Sequence, residues 1–173
     1  MLNHLKNDFT SERLFIRNLE ITDTSFIYTL VNTNEWKQFI GERNIHSEED
    51  ALPYIQNILN NDHVNYWVVT LKDTQTPVGI VTFIKKDYLA YHDLGFAFLP
   101  TYMGKGYAYE AAKEVLDYLL QQEIYKNIVA VTVNSNQKSK LLLSKLGFKF
   151  ERVFNHHHDV LELYSIKTNQ SFS

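Results

Sequence analysis

Residues Pro100 to Val115 read PTYMGKGYAYEAAKEV. Gly104 and Gly106 flank Lys105, and the small and apolar residues that follow start a helical repeat through Ala108, Ala111, Ala112, Val115, Leu116, Leu119 and Leu120. Ahead of this stretch, AYHDLGFAFLP ends at Pro100 and reads as a strand. Beyond the helix, NIVAVTV (Asn127 to Val133) is a continuous apolar run suited to a buried strand. Strand, glycine turn, helix and strand together make a βαβ unit. A glycine turn before a helix lets backbone N–H groups approach an anion, and the helix directs its positive end at the same point. Two common nucleotide motifs do not fit. A Walker A loop would need Ser or Thr after Lys105, where Gly106 stands, and a dinucleotide fingerprint would need glycine at Tyr109. A pyrophosphate held by backbone N–H groups fits the stretch.

Working outward, RLFIRNLE (Arg13 to Glu20) alternates as a strand, and Asp23 is placed to cap a helix that buries Phe26, Ile27, Leu30 and Val31. HSEEDALPYIQNIL predicts a second helix, with Ser47 three residues before Asp50 and a buried stripe of Leu52, Ile55, Ile58 and Leu59. Pro53 argues for a later start or a kink. NYWVVTLKDTQTPVGIVTFIKK reads as a hairpin turning between Lys72 and Pro77. After the buried strand, a short helix carrying Leu141, Leu142, Leu143 and Leu146 ends at Gly147, and FKFERVF and DVLELYSI are two closing strands. The expected order is β-α-α-β-β-β-α-β-α-β-β, an α/β (α+β) chain with seven strands and four helices.

Composition narrows the partners. The 173 residues fit one domain, with a core expected over about 11–167 and both ends frayed. Seventeen basic against twenty acidic residues, a net charge of -3, with no block of either sign, speak against a nucleic-acid partner. No cysteine occurs, which excludes disulfides, a thiolate nucleophile and zinc–thiolate sites. The first residues lack the apolar core of a signal peptide and no run is long enough to span a membrane, so the expected location is cytoplasmic.

LPTYMGKGYAYEA resembles the acyl-CoA pyrophosphate loop of the GNAT acetyltransferases, in the branch of the ribosomal-protein N-terminal acetyltransferases RimJ and RimL. SERLFIRNLEITD, PVGIVTF, HDLGFAFLP, NSNQKSKLLLSKLGF and DVLELYSI fall where that branch carries similar runs, so the likeness covers roughly Ser11 to Lys167 in order. The resemblance implies a mixed, mostly antiparallel twisted sheet of six to seven strands flanked by about four helices. It also implies acetyl-CoA as donor and an amine as acceptor, either a protein N-terminus or a small molecule. Monomer and homodimer are both open. Of the family loop pattern [QR]-x-x-G-x-[GA], Gly106 and Ala108 match, while Met103 replaces Gln or Arg and Tyr109 stands where many relatives have Thr. Met103, Gly104, Lys105, Gly106, Tyr107, Ala108 and Tyr109 are the expected CoA loop.

Acyl transfer to an amine needs a neutral amine, a stabilised oxyanion and a proton for the departing thiolate. Many relatives supply that proton from a tyrosine, but the matching position is Leu143. The N-x-x-S pattern of the RimL-like branch is matched by Asn136 and Ser139, so Ser139 is the expected acid, with Asn136 beside it at the CoA arm. Locally, the same pair also reads as a helix cap. The oxyanion is expected near the backbone N–H groups of Phe98 and Leu99, where relatives bind the pantetheine arm. An α-amine is already roughly 10 to 17% neutral at pH 7 and a lysine amine only about 0.04%, so a strong base matters mainly for the second. Asp93 matches a carboxylate common in relatives and is the candidate base through water, while alternation sends His92 to the other face. Trp36, Phe39, Glu42 and Arg43 fall in the family's acceptor region, and the NHHH turn (Asn155 to His158) is expected near the acceptor mouth, with His157 as an acceptor-binding residue and one imidazole of the turn assisting proton transfer. Adjacent histidines alternate in direction, so no metal is expected there. Without a cysteine or a serine elbow, transfer is expected to be direct. A CoA-binding module without turnover, a sensor or interaction protein, is the alternative from another class.

Overall fold

The computed structural model describes residue 5 and residues 7–168. The frayed ends expected from the sequence fall largely on residues 1–4 and 169–173, which lie outside the described residues. In chain order, β1 (Phe9–Thr10) and β2 (Leu14–Asn18) lead into α1 (Thr24–Val31), α2 (Asn34–Phe39) and α3 (Glu48–Leu59). The strands β3 (Val64–Leu71), β4 (Pro77–Ile84) and β5 (Asp93–Phe98) follow, then a 3-10 turn at Pro100–Tyr102, α4 (Tyr107–Leu120), β6 (Asn127–Val133), α5 (Gln137–Lys145), β7 (Lys149–His156) and β8 (Asp159–Lys167).

The expected order holds, with one strand and one helix added. β1 has two residues and exists through its pairing with β2, Phe9 opposite Ile16 and Thr10 opposite Phe15, so no local alternation announces it. α2 is under two turns long, too short for a periodic signal. It is set by Thr33, whose side chain accepts from the Trp36 N–H, and by burial of the Trp36 ring.

The eight strands form one sheet in the order β1-β2-β3-β4-β5-β6-β8-β7. Every neighbouring pair is antiparallel except β5–β6, which is parallel and joined at one register pair, Asp93 opposite Val129. Strand alternation gives the sheet two apolar faces. Ile16, Trp67, Val69, Val81 and Phe83 meet α4 and α5 on one, while Val68 and Ile80 meet α1, α2 and α3 on the other.

Three local expectations change. Asp23 makes no side-chain cap on α1, because its carboxylate instead takes Arg17 at 2.7 and 2.9 Å and the Glu20 N–H at 2.8 Å. α3 starts at Glu48 with Pro53 inside it, and Ser47 caps it by accepting from Asp50 N–H at 3.1 Å. The N–H that Pro53 lacks would have served Glu49, which is exposed in the first turn and can turn its carbonyl to water. The buried stripe of α3 is Ala51, Ile55 and Ile58, with Leu52 and Leu59 exposed, and on α5 Leu141 is exposed while Leu143 is buried.

Candidate active site

The glycine turn is braced from outside. Gly104 and Gly106 have φ of +74° and +82°, the left-handed region that favours glycine, and Gly106 is the residue from which α4 departs. A Cβ on Gly104 would meet nothing within 4 Å, so the turn presents open space there. The backbone N–H groups of Gly104, Lys105 and Gly106 find no acceptor among the described residues, and the first N–H groups of α4 adjoin them. Arg13, at the entry to β2, holds this turn. Its guanidinium donates to the Lys105 carbonyl at 2.9 Å, pairs with Glu110 at 2.7 Å and lies 4.5 Å over the Tyr107 ring. Glu110 also accepts from Ser11 Oγ and from the Arg13 N–H, at 2.7 and 2.8 Å. Although burial raises its pKa, these bonds leave the carboxyl below its ordinary value. Lys105 lies over Tyr102, and Lys145 of α5 lies over Tyr109.

Beyond Asp93 and Val129, β5 and β6 separate, and a cleft of about 510 Å³ opens against the sheet there. Met103 connects it to the glycine turn, Asn136, Ser139 and Leu143 line it from the β6–α5 side, and Trp36, Phe39 and Arg43 line it from α2 and the loop after it. Of the two expected oxyanion donors, Leu99 is committed, its N–H donating to the Val78 carbonyl at 2.9 Å. N–H groups alternate sides along an antiparallel strand, so that of Phe98 turns away from β4 toward the parting. Ser139 is half-buried, its backbone N–H donates to Asn136 Oδ1 at 3.1 Å, and its hydroxyl has no partner among the described residues. Asn136 therefore caps α5 and Ser139 keeps a free O–H at the cleft.

Asp93 is buried where the two strands part. Its Oδ1 accepts from the Val131 N–H at 3.0 Å and its Oδ2 pairs with Lys86 at 2.6 Å. Burial pushes its carboxyl up, against the pull of Lys86 and the Val131 N–H. His92 lies outside the cleft, stacked on Phe83 at 4.7 Å.

Two expected acceptor residues are not in the cleft wall. Glu42 is turned outward, paired with Lys37 at 3.2 Å and accepting from the Asn44 and Arg43 N–H groups. Where β7 passes into β8 it is His156, not His157, that lines the cleft, together with Asp159. His156 ends β7 and stacks on Tyr88 at 3.6 Å, whereas His157 occupies the turn itself with φ +53°. Sequence reading also missed Tyr66, Lys86 and Tyr88, which line the cleft from β3 and from the loop after β4. No local motif marks them, since only the strand pairing brings them together. Among the described residues no group of three or more His, Asp or Glu is arranged to hold a metal ion.

The sheet thus parts beside a glycine turn from which α4 starts. Residues 13–149 match the family described as the acetyltransferase (GNAT) domain, and the chain belongs to it. It is 31% identical to the uncharacterized N-acetyltransferase YnaD of Bacillus subtilis over 147 residues, 84% of each chain. Among solved structures, the ribosomal L7/L12 alpha-N-protein acetyltransferase RimL in complex with coenzyme A superposes with a TM-score of 0.81 at 13% identity, covering 93% of this chain and 98% of that one. The spermidine N-acetyltransferase of Vibrio cholerae, in complex with CoA and spermine, gives 0.77 at 21% identity over 91% and 97%. The mixed sheet and the GNAT membership expected from the sequence agree with these findings, and the RimL structure shares the fold. No helix among the described residues is long and apolar enough to cross a membrane.

Proposed function

We propose that this chain, acting as one unit over about residues 11–167, moves an acetyl group from acetyl-CoA directly to a primary amine. The observation that carries the proposal is the junction of the glycine turn and the β5–β6 parting, because one donor molecule needs both. The N–H groups from Gly104 through Tyr109 suit its pyrophosphate, and the parting between Phe98 and Asn136 suits its pantetheine arm. Acetyl-CoA supplies an activated thioester, and the chain supplies what the transfer needs around it. The Phe98 N–H stabilises the oxyanion, and the free Ser139 hydroxyl, lining the same cleft, protonates the departing thiolate. Asp93, through water, receives the proton that the amine gives up. Its raised pKa makes it a better base than an ordinary carboxylate, while its two engaged oxygens oppose that.

The amine is proposed to enter between the α2 side, with Trp36 and Phe39, and the β7–β8 turn, with His156 and Asp159. A protein N-terminal amine and a small amine both suit this entry, and the two CoA-bound structural neighbours act on one of each by their names. The proposed location is cytoplasmic, where acetyl-CoA is available.

Release of CoA from acetyl-CoA, measured over a panel of peptide and small amines, tests the reading, with calorimetry on Gly106→Val as its companion. Expected are amine-dependent release and a loss of acetyl-CoA affinity in a folded Gly106→Val, whose β-branched side chain would sit at φ +82° against Arg13. Tight binding without release for any amine would favour a CoA-binding module instead.

A further inference from the structure

Gly95 stands inside β5, where a residue without a side chain weakens a strand and marks a close approach. What approaches is Thr82. The two residues are paired across β4 and β5, and a Cβ on Gly95 would lie 2.6 Å from Thr82 Oγ1, so the hydroxyl stands over the bare backbone of Gly95. Thr82 is 8% exposed and lines the cleft, and its hydroxyl has no hydrogen-bond partner among the described residues. Trp36 Nε1 is the one side-chain polar atom among them that is both closed off and unpartnered, so Thr82 Oγ1 keeps an opening, and the space it opens to is the cleft. Asp93 reaches the same spot from the other side. It is opposite Val129 in the parallel pair, yet its Oδ1 accepts from the N–H of Val131, two residues further on. Gly95 is two residues beyond Asp93 on the same face of the sheet, so the carboxylate leans forward to the level of Gly95 along the parting. The Thr82 hydroxyl from β4 and the Asp93 carboxylate from the β6 side thus flank one bare backbone position.

We infer that the nitrogen of the acceptor amine sits over Gly95, where the Thr82 hydroxyl accepts one of its N–H groups, which makes Thr82 the residue that selects a primary amine. The inference rests on the acetyl-transfer reading and deepens it by naming where the nucleophile is held and by what. A neutral primary amine has two N–H groups and one lone pair. One N–H meets Thr82 Oγ1, the other is turned to Asp93 and the water proposed there, and the lone pair is left for the thioester carbon. Both acceptors have capacity, since a hydroxyl oxygen has two acceptor sites and each Asp93 oxygen keeps one beyond its bond to Val131 or Lys86. The Lys86 ammonium, 2.6 Å from Asp93, disfavours a second cation beside it and so favours the neutral, reactive form of the amine. A secondary amine has a single N–H and leaves one of the two acceptors unmet.

Glycinamide and putrescine serve as probes for an α-amine and a small diamine, with sarcosinamide and N,N′-dimethylputrescine as their secondary counterparts. CoA release from acetyl-CoA is measured for all four with the full parent chain, Thr82→Val and Thr82→Ser. The chain has six glycines, so ¹⁵N-glycine labelling of the CoA-saturated protein gives a Gly95 signal, with Gly147, outside the cleft, as reference. A saturable shift of Gly95 is expected with glycinamide, putrescine or both at millimolar concentration. For the amine that responds, kcat/KM should be about tenfold lower in Thr82→Val and restored in Thr82→Ser. The secondary amines should be at least about tenfold poorer than the primary ones in the parent, and that gap should close in Thr82→Val. Thr82→Val removes a hydroxyl that the fold does not use, so acetyl-CoA affinity and the thermal midpoint should stay at the parent values. An unchanged kcat/KM in Thr82→Val, no Gly95 shift with either primary amine, secondary amines as good as primary ones, or a rate loss that follows a lowered thermal midpoint and is not restored in Thr82→Ser would overturn the inference. A Gly95 shift that Thr82→Val weakens, without CoA release by any amine, would sink the acetyl-transfer reading and leave the amine seat standing. Release at the parent rate by Thr82→Val would do the opposite.

Discussion

Asp93 Oδ1 accepts a hydrogen bond from the backbone N–H of Val131 at 3.0 Å, across the point where β5 and β6 cease to pair. A carboxylate side chain thus does for β6 what the next backbone carbonyl of β5 would do if the strands stayed together. The parting is sealed at its base, and the Asp93 charge is held there by Lys86 at 2.6 Å.

This arrangement makes two substitutions at Asp93 informative. Asp93→Asn keeps an oxygen for the Val131 N–H but cannot take a proton from an amine. Turnover is expected to fall at least about tenfold, with the acetyl-CoA affinity unchanged. Asp93→Ala also strands the Val131 N–H and a largely buried Lys86, and should cost about 3 kcal/mol of stability in a denaturant titration. Full turnover in Asp93→Asn would assign the residue to sealing the parting alone.

Arg13 and Glu110 lie 97 residues apart in sequence and hold the glycine turn from its outer side. Arg13 is 43% exposed, so its ion pair adds little to global stability, by the measure of surface pairs about 0–1 kcal/mol. Its effect should appear in binding. Arg13→Ala frees the Lys105 carbonyl and the first turn of α4, and acetyl-CoA affinity is expected to drop about tenfold by calorimetry while the thermal midpoint barely moves. An unchanged affinity would mean that the turn holds its shape unaided.

Ser139→Ala removes the hydroxyl and leaves the cap intact, because the cap runs from Asn136 Oδ1 to the Ser139 backbone N–H. The expected result is a rate lower by about 10²- to 10⁴-fold with acetyl-CoA affinity retained. Asn136→Ala should do the reverse in part, costing about 1 kcal/mol through the lost cap. Equal rates for Ser139→Ala and the parent chain would remove Ser139 from proton transfer.

What the sequence disclosed follows the range of the interactions. The turn at Gly104 and Gly106, the stripe of α4 and the caps at Ser47 and Asn136 were legible because a few neighbouring residues decide them. α2 and β1 were not, since each is too short to show a period and depends on what it packs or pairs with. The same holds in the site. Asp93 and Ser139 were named through the family resemblance, and the partners of Asp93, Lys86 and Val131, come from other stretches of chain. Tyr66, Lys86, Tyr88 and His156 reach the cleft from three separate stretches of chain. Glu42 and His157 do not line the cleft, because the direction in which a loop residue turns is not encoded in residue type.

Gly79 lies under the Phe98 ring, and a Cβ there would stand 2.4 to 2.6 Å from three ring carbons. Phe98 is 5% exposed and ends the strand that borders the parting, so the ring has little room to yield. Gly79→Ala is expected to destabilise by about 1–3 kcal/mol through overpacking and to weaken acetyl-CoA binding, because the shift is passed to the Phe98 backbone. Loss of stability with intact binding would show that the ring moves without the strand.

Tyr164 and Glu162 tie β8 to the first turn of α5, which carries Ser139. The Tyr164 hydroxyl donates to Glu162 Oε2 at 2.7 Å, and Lys140 of α5 pairs with Oε1 at 3.1 Å. Burial first, and the bond to Glu162 second, push the Tyr164 hydroxyl up to about 12. A phenol with a higher pKa in the folded chain than in the unfolded one, where it is about 10, contributes stability that is complete below about pH 10. That contribution is lost as pH rises toward about 12. Glu162 runs the other way, since despite burial its bonds to Tyr164 and Lys140 lower its pKa, and its contribution fades as pH falls through the folded value. Tyr164→Phe should cost about 1 kcal/mol near neutral pH and show a shallower decline in urea midpoint through the alkaline window. Parent and variant curves running parallel there would show that the alkaline loss belongs to other tyrosines.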